Sequence, residues 1–129
     1  VTVAIDYSAL LGLAAGIQVA KADYDFARDG GAQYAHACNS AIIPAGSIIL
    51  GWATYTTIAI TYATSGQLQF QLNASVVVAA DDTLGNITVG WPNSATAKVL
   101  AQDLPIDAYI SGSAITAGAA TVWIFYLPT

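Results

Sequence analysis

Gln67-Leu68-Gln69-Phe70-Gln71-Leu72 alternates without a break between amide and large apolar side chains. A strand sends successive side chains to opposite faces, so Leu68, Phe70 and Leu72 share one face and the three glutamines share the other. This is a half-buried β-strand, one face in a core and one face in water or at a polar contact. Ser65-Gly66 before it is a turn. Ahead of that turn runs Ile48 to Thr61, rich in the Ile, Thr, Tyr and Trp that strands favour. The sequence Ile42-Ile43-Pro44-Ala45-Gly46-Ser47 launches it.

The same texture extends both ways. Upstream, Gln18 to Arg28 alternates, with Val19, Lys21, Asp23 and Asp25 opposite Ala20, Ala22, Tyr24 and Phe26. Asp29-Gly30-Gly31 is a turn, and Gln33 to Cys38 is a second short strand. Downstream, Ser75 to Ala80 is a buried strand or a short helix, which so short a run does not distinguish. Asp81 to Asn86 is a loop. Ile87 to Trp91, Ala97 to Ala101, Ile106 to Ser111 and Ala119 to Leu127 read as strands, with turns at Ser111-Gly112-Ser113 and Ala117-Gly118. About eight short strands with turn signals every 8–12 residues or so imply an all-β fold, a jelly-roll-like β-sandwich. No substantial helix is visible, which argues against alternating β and α units. The core is expected to contain Leu68, Phe70, Leu72, Val122 and Ile124.

Composition narrows the function. Hydrophobic residues are 56% of the chain and charged residues 9%, far below the ordinary charged fraction of about 25%. A domain with so few charges has little to cover its surface with, so other subunits are expected to cover much of it. All eight acidic residues are Asp, which suits turns. Lys21, Arg28 and Lys98 are too few and too scattered to hold a nucleic-acid backbone. Cys38 is the only cysteine, which excludes an internal disulfide.

The chain divides into an N-terminal arm, residues 1–17, and a sandwich domain, residues 18–129. Ala9 to Val19 has the apolarity of a signal-peptide core. It lacks a basic leader, carries Asp6 instead, and is too short to span a bilayer. Tyr7, Leu10, Leu11, Leu13 and Ile17 make the arm costly to leave in water. They are expected to dock on a neighbouring subunit, the alternative being that the arm folds back on its own sandwich. The last strand, Thr121 to Leu127, is apolar on both faces and must be covered on both. Val122, Ile124 and Tyr126 are expected to face the core. Trp123, Phe125 and Leu127 would then pack either against another chain, as an interface with aromatic anchors, or against the second sheet as a core strand that curls between sheets.

No residue set makes a credible catalytic or metal site, so the chain is read as a non-enzyme without cofactor. His36 and Cys38 share a strand face but are two potential ligands where structural zinc needs four. Alternate strand residues stand roughly 6.5–7 Å apart, too far for a Cys–His pair. Asp23, Asp25 and Asp29 approach a calcium-loop spacing, but Gly30 and Gly31 come late and no Glu closes the loop. Asn73-Ala74-Ser75 and Asn86-Ile87-Thr88 match the glycosylation pattern, which is common by chance. Trp52, Trp91 and Tyr55 are aromatic enough to stack on sugars.

Three runs carry a family resemblance: Tyr24-Asp25-Phe26-Ala27-Arg28-Asp29-Gly30-Gly31, Ile43-Pro44-Ala45-Gly46-Ser47-Ile48-Ile49, and Ser113-Ala114-Ile115-Thr116-Ala117-Gly118-Ala119-Ala120-Thr121-Val122. Across most of residues 22–127 the chain resembles the small decoration (cement) proteins of tailed-bacteriophage capsids. The resemblance implies a β-sandwich on the virion exterior, bound to the major capsid protein, often as a trimer. From the three scattered cations and the lack of a bilayer-length apolar stretch, no nucleic-acid or membrane partner is expected. The competing expectation is a tail-fibre, receptor-binding or carbohydrate-binding β-sandwich.

Overall fold

A computed structural model describes residues 16–73, 76–92 and 100–128. The chain runs through β1 (Gln18–Asp25), α1 (Phe26–Asp29), β2 (Tyr34–Ile43), β3 (Ile48–Tyr62), β4 (Gly66–Leu72), β5 (Val76–Ala79), β6 (Ile87–Gly90), β7 (Leu104–Gly112) and β8 (Ile115–Leu127). The fold is all-β. The strands form one sheet in the order β5-β4-β7-β2-β1-β8-β3-β6, with every neighbour antiparallel. The narrow joint between β2 and β1 divides it into two four-stranded layers. The outermost strands of the two layers approach one another, since the Thr88 hydroxyl on β6 donates to the Ala79 carbonyl on β5 at 3.4 Å. The sheet is thus nearly closed around a single core.

Four of the pairings join β1 to β8, β2 to β7, β3 to β6 and β4 to β5. The chain is therefore a ribbon of strand pairs folded on itself. Leu68, Phe70 and Leu72 are fully buried, as their alternation requires, and the glutamines between them point outward. Val76, Val78, Ile106, Ala108 and Ile110 complete that side of the core. Ala20, Ala22, Tyr24, Ile49, Val122 and Ile124 face them from the other layer. Of the run Ser75 to Ala80, Val76–Ala79 form a strand, with Val76 and Val78 buried and Val77 exposed, and Ser75 lies outside the described residues.

Several elements differ from the expected boundaries, each for a local reason. The strand expected over Gln18 to Arg28 stops at Asp25. The Asp25 carboxylate accepts from the Ala27 N–H at 2.9 Å and caps α1 as an N-cap. The strand expected over Gln33 to Cys38 continues to Ile43 through an irregularity between Ala37 and Ile42. There the Ser40 hydroxyl replaces a missing strand partner by accepting from the Ile106 N–H at 2.8 Å. Of the strand expected over Ala97 to Ala101, residues 97–99 lie outside the described residues. Leu100 and Ala101 belong to no strand, and Leu100 instead exchanges backbone hydrogen bonds with Gly46 and Ser47. Ala117-Gly118, expected as a turn, lies inside β8. Gly118 has φ of 135°, and a side chain there would come within 2.7 Å of the Ile60 Cα on β3. Glycine allows the two long strands to pass this closely at an irregular point in their register.

The Ser47 hydroxyl is buried without a hydrogen-bond partner among the described residues. An unsatisfied buried polar group costs about 1–3 kcal/mol. Ser47→Ala is therefore expected to stabilise the fold by about 1 kcal/mol, read as a higher urea midpoint with an unchanged m-value. A lower midpoint would contradict it.

Candidate functional site

The strand register builds a surface across the outer side of the β1-β8-β3-β6 layer. One row reads Lys21, Trp123, Ala53, Val89. The next, toward the start of β1, reads Val19, Phe125, Gly51, with the Trp91 ring lying over Gly51. The row on the other side reads Asp23, Thr121, Tyr55, Ile87. The outer side of this layer is therefore mainly apolar over β8, β3 and β6, and Val19 continues it on β1 beside Lys21 and Asp23. Trp91 is 75% exposed, Ile87 66%, Val89 62% and Val19 50%. Trp123, Phe125 and Leu127 point to this side and are half-buried, while Val122 and Ile124 are fully buried beneath. Tyr126 packs at the margin of the core.

Of the arm residues, Tyr7, Leu10, Leu11 and Leu13 lie outside the described residues. Ile17 is partly exposed, and the Gly16 backbone lies against Leu127. Gly16 and Ile17 thus lie at one end of the apolar face. The alternation of β8 made Trp123, Phe125 and Leu127 visible from sequence. Ile87, Val89 and Trp91 carried the same signal at a strand too short to show a face.

The three aromatic residues first considered for stacking do not converge. Trp52 packs toward the core, and a side chain at Gly90 would strike its indole. Tyr55 and Trp91 lie on the outer face.

The acidic residues that approached a calcium-loop spacing are each engaged by protein groups. Arg28 contacts the Asp23 carboxylate at 3.2 Å and the Asp29 carboxylate at 2.7 Å and 2.8 Å. Asn39 donates to Asp23 at 3.2 Å, and the Asp25 N–H donates to Asp29 at 3.0 Å. Repulsion between Asp23 and Asp25 is relieved by Arg28 and by the capping role of Asp25. The Arg28 guanidinium holds the Asp29 carboxyl below its ordinary range, with burial opposing and the Asp25 N–H assisting. The nearby Tyr24 hydroxyl donates to the Gly30 carbonyl at 2.6 Å. Burial, then the Asp29 and Asp25 charges, push it up to about 12.

A carboxylate depressed in the folded state contributes stability above its unfolded value of about 3.9, and that contribution is lost as pH falls through the folded value. Asp29→Asn is expected to cost about 1–2 kcal/mol at pH 7, the range of charged hydrogen bonds reduced for the exposed Arg28. Urea midpoints of the two proteins should converge toward pH 2. A gap that persists at pH 2 would assign the loss to packing.

His36 and Cys38 do share one strand side, as their spacing implies. The Cys38 thiol donates to the Ile106 carbonyl at 3.2 Å. Burial, with the Asp29 and Asp107 charges, pushes it up to about 11, which leaves it protonated at neutral pH. His36 Nε2 hydrogen-bonds the Ala32 carbonyl at 2.6 Å. Of the glycosylation patterns, Asn73 sits in the turn after β4, and the Asn86 amide donates to Asp81 at 3.3 Å. Among the described residues no helix is long and apolar enough to cross a membrane. No model of a known protein family matches the chain, and no curated protein matches it.

Proposed function

We propose that this chain is a structural virion protein that binds the outer surface of a phage capsid and stabilises the shell without chemistry. Its apolar face docks on the major capsid protein, and its arm extends that contact. The observation that carries this reading is the mainly apolar outer face of β8, β3 and β6, continued by Val19, set against the amide and carboxylate row that β4 and β7 carry on the opposite layer. Val19, Ile87, Val89 and Trp91 stand in solvent on an otherwise ordered sheet, with Lys21 and Asp23 at its rim. Contiguous exposed apolar surface of this kind marks an interaction site.

Size supports a role for the arm. Four strands about 4.8 Å apart and seven residues at about 3.4 Å cover on the order of 450 Å² in plan. A stable interface buries about 800 Å² per partner. Tyr7, Leu10, Leu11, Leu13 and Ile17 supply further apolar area from the end of the face beside Leu127. The ribbon of pairs β1·β8, β2·β7, β3·β6 and β4·β5 supports the jelly-roll reading, an architecture used in viral capsids and lectins. The resemblance to decoration proteins favours a trimer on the virion exterior.

The test is copy number in gradient-purified virions of the phage that encodes the chain. Hundreds of copies per particle are expected. A handful would favour the tail-fibre reading, and none would overturn both.

A further inference from the structure

The outer side of the β5-β4-β7-β2 layer is polar along β4 and β7 and has a composition of its own. Register places Gln67, Gln69 and Gln71 of β4 opposite Ser111, Tyr109 and Asp107 of β7. Beyond β7, the small residues Ala35 and Ala37 of β2 stand opposite Tyr109 and Asp107. Tyr34 and Tyr109 form an aromatic pair, with ring centroids 6.3 Å apart and planes tilted by 58°.

Two observations show that this surface is not merely a solvated sheet. Tyr34 is 65% exposed and has φ of 82°. A bulky residue in that region is strained by about 1–3 kcal/mol, and such strain gathers at ligand sites. Here the strain holds an aromatic ring in water. The second observation is Asp107, which is half-buried with no hydrogen bond to its carboxylate among the described residues. Burial raises its pKa above the ordinary carboxylate value. A partly desolvated acceptor stands open to a donor from outside.

We infer that this surface is a carbohydrate-binding platform, with Tyr34 and Tyr109 stacking on sugar rings and Gln69, Gln71 and Asp107 bonding their hydroxyls. An amide offers both donors and acceptors, and a carboxylate accepts from two hydroxyls at once. Aromatic faces meet the apolar faces of sugar rings. Gln69 donates to Gln67 at 3.1 Å, which orients those two amides relative to each other. The Asp107 charge and the net charge of −5 favour neutral sugars over uronic or sialic acids. The site lies on the layer opposite the proposed docking face, so a bound shell leaves it open.

The test is affinity electrophoresis of the full chain through gels containing dextran, galactomannan, xylan or polygalacturonate. Retardation by at least one neutral polymer and none by polygalacturonate is expected. Gln69→Ala and Tyr109→Ala should each weaken it at least tenfold. Tyr34→Gly is the sharpest variant: glycine accepts φ of 82°, so thermal stability should hold or rise while retardation falls at least tenfold. Trp91→Ala, on the opposite layer, should bind as the native chain does. The inference is overturned if no neutral polymer retards the protein, or if retardation survives Tyr34→Gly and Gln69→Ala.

Discussion

Phe70→Ala is expected to destabilise the domain by about 3–5 kcal/mol, the range for removing a fully buried aromatic side chain. Phe70 has no exposed surface and lies opposite Val78 of β5 and Ala108 of β7, in the middle of its layer. The remaining core is held by backbone hydrogen bonds on both sides of β4, so it has little freedom to collapse into the space. Domains of this size are stable by about 5–15 kcal/mol in all, so the variant should lie close to unfolding at 37 °C. Gln69→Ala, one residue away on the outer side, should stay within about 0.5 kcal/mol of the native protein. Urea titration of both variants checks the prediction and also the register. A one-residue slip of β4 would exchange the two results.

Trp91→Ala combined with Val89→Asp is expected to abolish the proposed docking on capsid shells while the fold remains intact. Both side chains are mostly exposed, so neither change creates a cavity, and the melting temperature should shift little. Interface anchors of this type cost about 2 kcal/mol or more each when removed, and a buried unpaired carboxylate adds to that. An affinity loss of at least about 100-fold should follow, at about 1.4 kcal/mol per tenfold. Co-sedimentation with purified shells lacking the protein measures it directly. Undiminished occupancy by the double variant would exclude this face as the docking surface.

What the sequence revealed depended on how local each cause is. The burial of Leu68, Phe70 and Leu72 follows from alternation within six residues, and the double-faced β8 was legible for the same reason. The N-terminus of α1 was not. Asp25 fits the strand alternation as well as it fits a cap, and only the conformation of Phe26–Asp29 decides between them. Gly118 read as a turn because glycine most often marks one. Its actual role is a close approach to Ile60, nearly sixty residues away in the chain. Both outer faces are non-local in the same way. Trp123 meets Ala53 and then Val89, and Tyr109 meets Gln69, only after the strands have paired. Sequence displayed the members of each surface but not their assembly. Tyr34 gave no sign of its backbone conformation.

The order of strand pairing also dictates when the chain can fold. β1 finds its longest partner in β8, with Gln18 opposite Tyr126, and β3 depends on β8 as well. β2 and β4 both wait for β7. During synthesis, therefore, neither layer can close until the last strands have left the ribosome. Such long-range pairing also folds slowly, in roughly milliseconds to seconds. Until then Ile48 to Tyr62 can pair only with β6, over Trp52 to Tyr55, and its long edge toward β8 stays open to joining other chains. A nascent chain of this type is a natural client for chaperones that hold β-rich segments apart. Any truncation before β8 should yield an aggregate and not a smaller domain.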